Sequence, residues 1–234
     1  MILVTRPQRS RVCEAGGLYY IYQLIQNFMF YIIGLGNPGE EHSNTRHNTG
    51  RMAVLRLLKD LKIEDLKINK KANALVSEDK IGKEKITLVL PETFMNKSGA
   101  AVSYFLKPKT GKNKSQENLV VVHDDIDLPI GTLKISYNKG TGGHRGLDSI
   151  VKAVKTKEFT RVRIGVSPAS AKASAGKASP KIKKPQGEKA VINFILGKFK
   201  PSEMEMMKKT FKKASQAIQT LISEGRDKAM NLFN

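Results

Sequence analysis

The chain reads as a single α/β domain, a mixed, mainly parallel twisted sheet flanked by helices. Three observations predict it. Short apolar runs alternate with amphipathic helical segments. One run, Leu119–His123, carries three consecutive valines, as expected of a strand buried on both faces of a parallel sheet. Polar residues and glycines crowd the stretches that follow strands, which is where open α/β sheets keep their sites.

The elements follow in order. Phe30–Leu35 is a buried strand. Thr49 to Leu61 is a helix with Val54, Leu55, Leu58 and Leu61 on one face. Ala74–Ser77 and Ile86–Leu90 are strands joined by a turn near Gly82. Gly99–Phe105 is a short helix. Thr132–Tyr137 alternates and belongs near an edge, Gly146 to Val154 is a helix, and Thr160–Val166 is another alternating strand. The last helix opens at Pro201, with Ser202 and Glu205 in a capping-box pattern. Met207, Phe211, Ala214, Ile218 and Leu221 form its apolar stripe, and Gly225 stops it. No internal repeat is visible.

Two segments stand apart. Residues 1–28 show no usable period, so the domain is expected to begin near Met29 and to run to 234. The leader is then a weakly ordered extension or a start assigned too early. Residues 167–189 are rich in Ala, Ser, Lys and Pro, with six lysines and one acid. That composition predicts a flexible Lys-rich loop, either a plain surface insertion or a basic flap beside a polyanion.

Composition narrows the function. The 234 residues carry 41 Lys+Arg against 21 Asp+Glu, a net charge of +20, which favours a polyanionic partner such as nucleic acid over a merely solvated lysine surface. Cys13 is the single cysteine, so no intrachain disulfide can form and a reducing compartment suits the chain. No apolar run reaches the ~20 residues of a membrane span, and no secretory signal is evident. The expected location is the cytoplasm.

Gly34-Leu-Gly-Asn-Pro-Gly39 matches the dinucleotide fingerprint G-x-G-x-x-G directly after a strand. Three features argue against that use. Pro38 removes a backbone donor. The residues from Glu40 to Asn48 are a polar loop where the fingerprint needs a helix at once. Glu40 and Glu41 would repel a pyrophosphate. His47, in Thr45-Arg-His-Asn48 just beyond, is the most suggestive residue of the segment. A loop histidine taken alone is more often structural.

Five ordered stretches carry a resemblance. Gly34–Gly39 with Thr45–Asn48, Pro91-Glu-Thr-Phe-Met-Asn-Lys-Ser-Gly99, His123-Asp-Asp-Ile-Asp-Leu-Pro-Ile-Gly131, Gly142-Gly-His-Arg-Gly-Leu147 and Phe159-Thr-Arg-Val-Arg-Ile-Gly165 resemble the signatures of bacterial-type peptidyl-tRNA hydrolase. The match runs from about Met29 to the C-terminus. It implies a peptidyl-tRNA hydrolase-like α/β domain, usually a monomer, with a lid over its cleft. It also implies hydrolysis, with no metal and no cofactor, of the ester between a peptide and the 3′ ribose of tRNA dropped by ribosomes.

The same resemblance implies roles. His47 would be the general base and Asp124 the acid that orients it, as an Asp does in hydrolytic triads. Asn37 and Asn96 would line the cleft, their amides offering both donor and acceptor, with Asn96 placed to meet the developing oxyanion. Phe94 and Met95 would lie along the acyl group; for Met95 the alternative is core filling. Lys134 and Arg163 would face the acceptor stem and 3′ CCA end, with phosphate contacts suited to an enzyme acting on all tRNAs. Arg161 lies beside them. His144 would cap the next helix.

Two residues depart from the family pattern. His42 stands where a stacking tyrosine is usual. Arg145 stands where an asparagine commonly positions water, and it adds a phosphate donor. The alternative to an enzyme is an RNA-binding relative with weakened or lost hydrolysis.

Overall fold

The computed structural model describes residues 29–63, 65–106, 117–168, 182 and 184–234. Among these residues seven strands form one sheet in the order β2-β3-β4-β1-β5-β7-β6. The strands are β1 (Met29–Gly34), β2 (Lys67–Asn69), β3 (Ala74–Ile81), β4 (Glu84–Pro91), β5 (Leu119–Pro129), β6 (Leu133–Tyr137) and β7 (Thr160–Ser167). β1 pairs in parallel with β4 and β5, and β5 with β7. The β2–β3, β3–β4 and β6–β7 pairs are antiparallel. The sheet is therefore mixed, with parallel pairing confined to its four central strands.

The helices are α1 (Thr49–Asp60), α2 (Ser98–Leu106), α3 (Arg145–Val154), α4 (Glu188–Leu196), α5 (Pro201–Glu224) and α6 (Arg226–Phe233). Alternation along the strands builds two cores. Ile32, Val120, Val122 and Val162 meet Ala53, Val54 and Leu57 of α1 and Phe211 and Ile218 of α5. Ile33, Leu119 and Val121 meet Ala101 and Val102 of α2 and Leu147 and Ile150 of α3. Each such Val, Leu, Ile or Phe side chain contributes about 1.5–3 kcal/mol. Both faces of β5 are covered, as its valine run required.

α1 comes very close to the strand ends. A Cβ on Gly50 would lie 2.1 Å from the Val122 carbonyl oxygen, so only glycine fits there. That contact sets the turn before α1 directly above β1 and β5.

Several boundaries move from the sequence-based expectation. The first strand ends at Gly34, one residue short of Leu35, whose N–H makes the last β1–β5 bond, to the Val122 carbonyl at 3.0 Å. β5 runs six residues past His123, because Asp124, Asp125 and Pro129 continue the ladder with β7. The long helix does open at Pro201, but the Ser202–Glu205 box does not form. Glu203 accepts from the Lys200 backbone N–H at 2.8 Å, and Glu205 pairs instead with Lys208. Gly225, at φ 93°, ends α5 as expected and at once starts α6, which the sequence reading lacked. β2 and α4 were missed as well. Within the loop expected at 167–189, Ser167 completes β7 and Glu188 opens α4. Residues 169–181 and 183, and the leader 1–28, lie outside the described residues.

The far edge of the sheet is β6. There the Asn234 amide pairs with Ile135: its oxygen accepts from the Ile135 N–H at 2.6 Å and its nitrogen donates to the Ile135 carbonyl at 3.1 Å. Arg226 stacks on Tyr137, 3.9 Å from the ring centre.

Candidate active site

The residues at the carboxyl ends of β1 and β5 converge on a cavity of about 800 Å³. Asp124 lies two residues beyond Val122, the last β5 residue paired with β1, and is buried there. Its carboxylate receives two histidines. His47 Nδ1 lies 3.0 and 3.1 Å from its two oxygens, and His144 Nε2 lies 2.9 Å from Oδ1. Burial alone would raise Asp124, yet the imidazoles of His47 and His144 hold its carboxyl well below the usual carboxylate range.

The tautomers follow from the partners. His144 Nδ1 accepts from the backbone N–H groups of Gly146 and Leu147 at the start of α3, at 3.1 and 3.3 Å. It therefore caps the helix, as the sequence suggested, and its proton sits on Nε2, where it donates to Asp124. His47 donates through Nδ1, and among the described residues nothing bonds its Nε2. That nitrogen is an unprotonated acceptor on the cavity side.

His47 is held by its neighbours. It sits in a 3-10 turn, Arg46–Asn48, all three residues buried. The buried Arg46 donates to the carbonyls of Gly197 and Lys198 at 3.2 and 3.0 Å and to Glu203 at 2.8 Å. Its guanidinium lies 4.6 Å from the Phe194 ring centre and 5.2 Å from that of Phe199. His47 is thus pinned, through Arg46, to the α4–α5 junction. Asn48 braces the glycine turn, accepting from the Asn37 N–H at 2.8 Å and donating to the Asn37 carbonyl at 2.9 Å.

That brace aims Asn37. Its Oδ1 accepts from the Met95 N–H at 2.8 Å, which leaves the Nδ2 donor to the cavity. Asn96 is exposed at the rim, Phe94 is 62% exposed, and Met95 is buried against Ile33, Leu35 and Leu147. Opposite them Val191, Ile192, Ile195 and Leu196 of α4 supply an apolar wall.

Of the residues singled out from sequence, the cavity gathers Asn37, His47, Phe94, Met95, Asn96, Asp124, Arg145 and Arg163. Arg163 pairs with Asp125 at 2.7 Å, and Arg145 with Glu188 at 2.6 Å. Lys134 stands opposite Arg163 in the β6–β7 register, exposed and outside the lining. His42 also lies outside it, 3.7 Å from Glu41. Three contributions escaped the sequence reading: the donation from His144 to Asp124, the Arg46 anchor, and the α4 wall. The glycines before His144 were the only local signal for the first.

His47, Asp124 and His144 place three ligand atoms within 4.8 Å of one another, a grouping that could hold a cation. The donor chemistry suits a proton relay better. A metal on His144 Nε2 would displace the proton that Asp124 accepts and put one on Nδ1, facing two N–H donors.

A buried carboxylate orienting an imidazole, with amide donors beside it at the ends of central strands, is an arrangement suited to a hydrolytic α/β enzyme. The family model for peptidyl-tRNA hydrolase matches residues 31–234. A peptidyl-tRNA hydrolase of Alkaliphilus oremlandii is 39% identical over 212 residues, 88% of this chain and 100% of that protein. One from Thermodesulfovibrio yellowstonii is 34% identical over 206 residues, 88% of this chain and 99% of that protein. The crystal structure of the Acinetobacter baumannii enzyme superposes with a TM-score of 0.74 at 29% identity, covering 89% of this chain and 96% of that one. The chain belongs to the peptidyl-tRNA hydrolase family.

Proposed function

We propose that this enzyme hydrolyses the ester joining a peptide, or an N-blocked aminoacyl group, to the 3′ ribose of tRNA. The reading rests on family membership, and one observation carries the mechanism: His47 held by Asp124 at the base of an apolar-walled cavity, Nε2 unpaired.

Water attacks the ester carbonyl while His47 Nε2 takes its proton. The imidazolium that forms is balanced by the Asp124 carboxylate, which His144 keeps ionised and oriented. The carbonyl oxygen becomes an oxyanion, with Asn37 Nδ2 and the Asn96 amide as donors for it. Collapse breaks the bond to the ribose oxygen, which recovers the proton from His47. Free tRNA and a peptide carboxylic acid result.

The acyl group lies between Met95, Phe94 and the apolar face of α4. Arg163, Lys134 and Arg145 serve the phosphates of the acceptor stem and 3′ CCA end, with Arg145 leaving Glu188 to do so. His42 offers a stacking surface at the acceptor end. The enzyme works as a monomer. Among the described residues no helix is long and apolar enough to cross a membrane.

Release of labelled N-acetyl-aminoacyl groups from tRNA tests the reading. Wild type turns over and His47→Ala loses nearly all turnover. Equal activity in both refutes the mechanism, and tRNA binding without turnover in wild type points to the RNA-binding relative instead.

A further inference from the structure

Arg161 has no role in the mechanism above, and its surroundings are unusual. It is 1% exposed, and no carboxylate pairs with it among the described residues. Nη1 donates to the Gly140 carbonyl at 2.6 Å, and the guanidinium lies 4.7 Å from the Phe159 ring centre. Nε and Nη2 have no partner. A buried guanidinium with two idle donors is costly unless something anionic completes it.

The idle atoms are not scattered. His123 Nε2 and Ser136 Oγ are also buried without partners. Ser136 faces Arg161 in the β6–β7 register, and on β5 His123 is two residues from Val121, which is Arg161's neighbour there. All three side chains therefore rise from one face of the sheet. His123 and Arg161 both line the cavity. His123 Nδ1 donates to the Asp124 carbonyl at 2.7 Å, which makes Nε2 an acceptor. Burial together with the neighbouring His144 pushes His123 down to about 3, so the ring stays neutral.

The cluster thus asks for a ligand that brings an anionic acceptor to Arg161 and a donor to His123. A nucleotide carries both: a phosphate, and a ribose hydroxyl beside it. The position fits as well. The His123 ring lies 5.0 Å from that of His144, which lies 4.9 Å from that of His47, so a single imidazole stands between His123 and the general base. The loop over Arg161 is not packed against other elements at its glycines, since a Cβ on Gly140, Gly142 or Gly143 would meet nothing within 4 Å.

We infer that Arg161 binds the phosphate on the 5′ side of the terminal nucleotide, and His123 its free ribose hydroxyl. This rests on the function proposed above and is separate from the stem contacts of Arg163 and Lys134. Arg161 and His123 would thereby hold the scissile ester against His47.

The test uses two small substrates, the N-acetylphenylalanyl esters of adenosine and of adenosine 5′-monophosphate. Wild type prefers the phosphorylated ester in kcat/KM by about tenfold or more, as a charge-assisted hydrogen bond to a buried guanidinium allows. Arg161→Lys removes the preference, and Arg163→Lys keeps it. A ratio near one in wild type, or the same ratio in wild type and Arg161→Lys, overturns the inference and leaves a buried water as the occupant. Wild-type protein gives a second readout should Arg161→Lys fold poorly: adenosine 5′-monophosphate shifts the Arg161 Nε–H resonance and adenosine does not. Equal effects of the two also overturn it. Hydrolysis of N-acetyl-aminoacyl-tRNA, run alongside, reports separately on the function.

Discussion

Asp124→Asn keeps the shape of the side chain and converts one acceptor oxygen into a donor. Oδ1 of Asp124 serves both histidines, whereas Oδ2 serves only His47. His144 cannot change tautomer without giving up its two bonds to the start of α3. The amide oxygen must therefore stay at the Oδ1 position. The amide nitrogen falls at the Oδ2 position, 3.1 Å from His47 Nδ1, where it competes with the amide oxygen, 3.0 Å away, for that atom. Whenever the amide donates, His47 carries its proton on Nε2, the atom that has to accept one from water. The charge is lost too. At 3.0 Å and an effective dielectric of about 20, a carboxylate–imidazolium attraction is worth about 5 kcal/mol. The two effects act on the same state, so kcat should fall about 10³–10⁴-fold, or about 4–5.5 kcal/mol of barrier. Turnover of N-acetyl-aminoacyl-tRNA measures it, and nitrogen-15 shifts of His47 report the tautomer. A kcat within tenfold of wild type, or a loss confined to KM, would show that Asp124 does not set the state of the base.

Two further expectations concern stability. Arg46→Met leaves the largely buried Glu203 carboxylate without its cation and removes a side-chain donor from the carbonyls of Gly197 and Lys198, so unfolding should cost about 2–4 kcal/mol less in urea; an unchanged midpoint would remove the anchor. His123 titrates near ~6.5 when unfolded and at about 3 when folded, so between those values only the unfolded chain binds the proton. Stability therefore falls as pH drops below about 6.5, by up to about 1.4 kcal/mol per pH unit. Asp124, lowered on folding, contributes stability that is full above about pH 4 and lost only below it, so it stays out of a comparison of pH 7 with pH 5. His123→Asn should flatten that slope; an equal slope in wild type and variant would refute the assignment.

The α/β architecture was legible because β5 and the α5 stripe announce themselves by period, and the order of the motifs alone puts His47 and Asp124 on one site. What stayed hidden depends on contacts distant in sequence. Arg46 looked like one more loop cation until the carbonyls of Gly197 and Lys198 met it, a separation of 151 residues for the first. α4 follows a Lys-rich run and none of its residues is fully buried, so no apolar face stood out; its wall exists only because a cavity faces it. The capping box failed because the true cap, Glu203, lies two residues before Glu205.

The Asn234 amide at Ile135 bears on how the sheet meets other molecules. It occupies the one N–H and C=O pair at the middle of edge strand β6 with a side chain in place of a strand. The pairing closes over 99 residues and depends on α5 and α6 being docked first. Loosening α6 alone would expose a strand edge while the rest stays folded, so self-association would begin from a nearly native molecule.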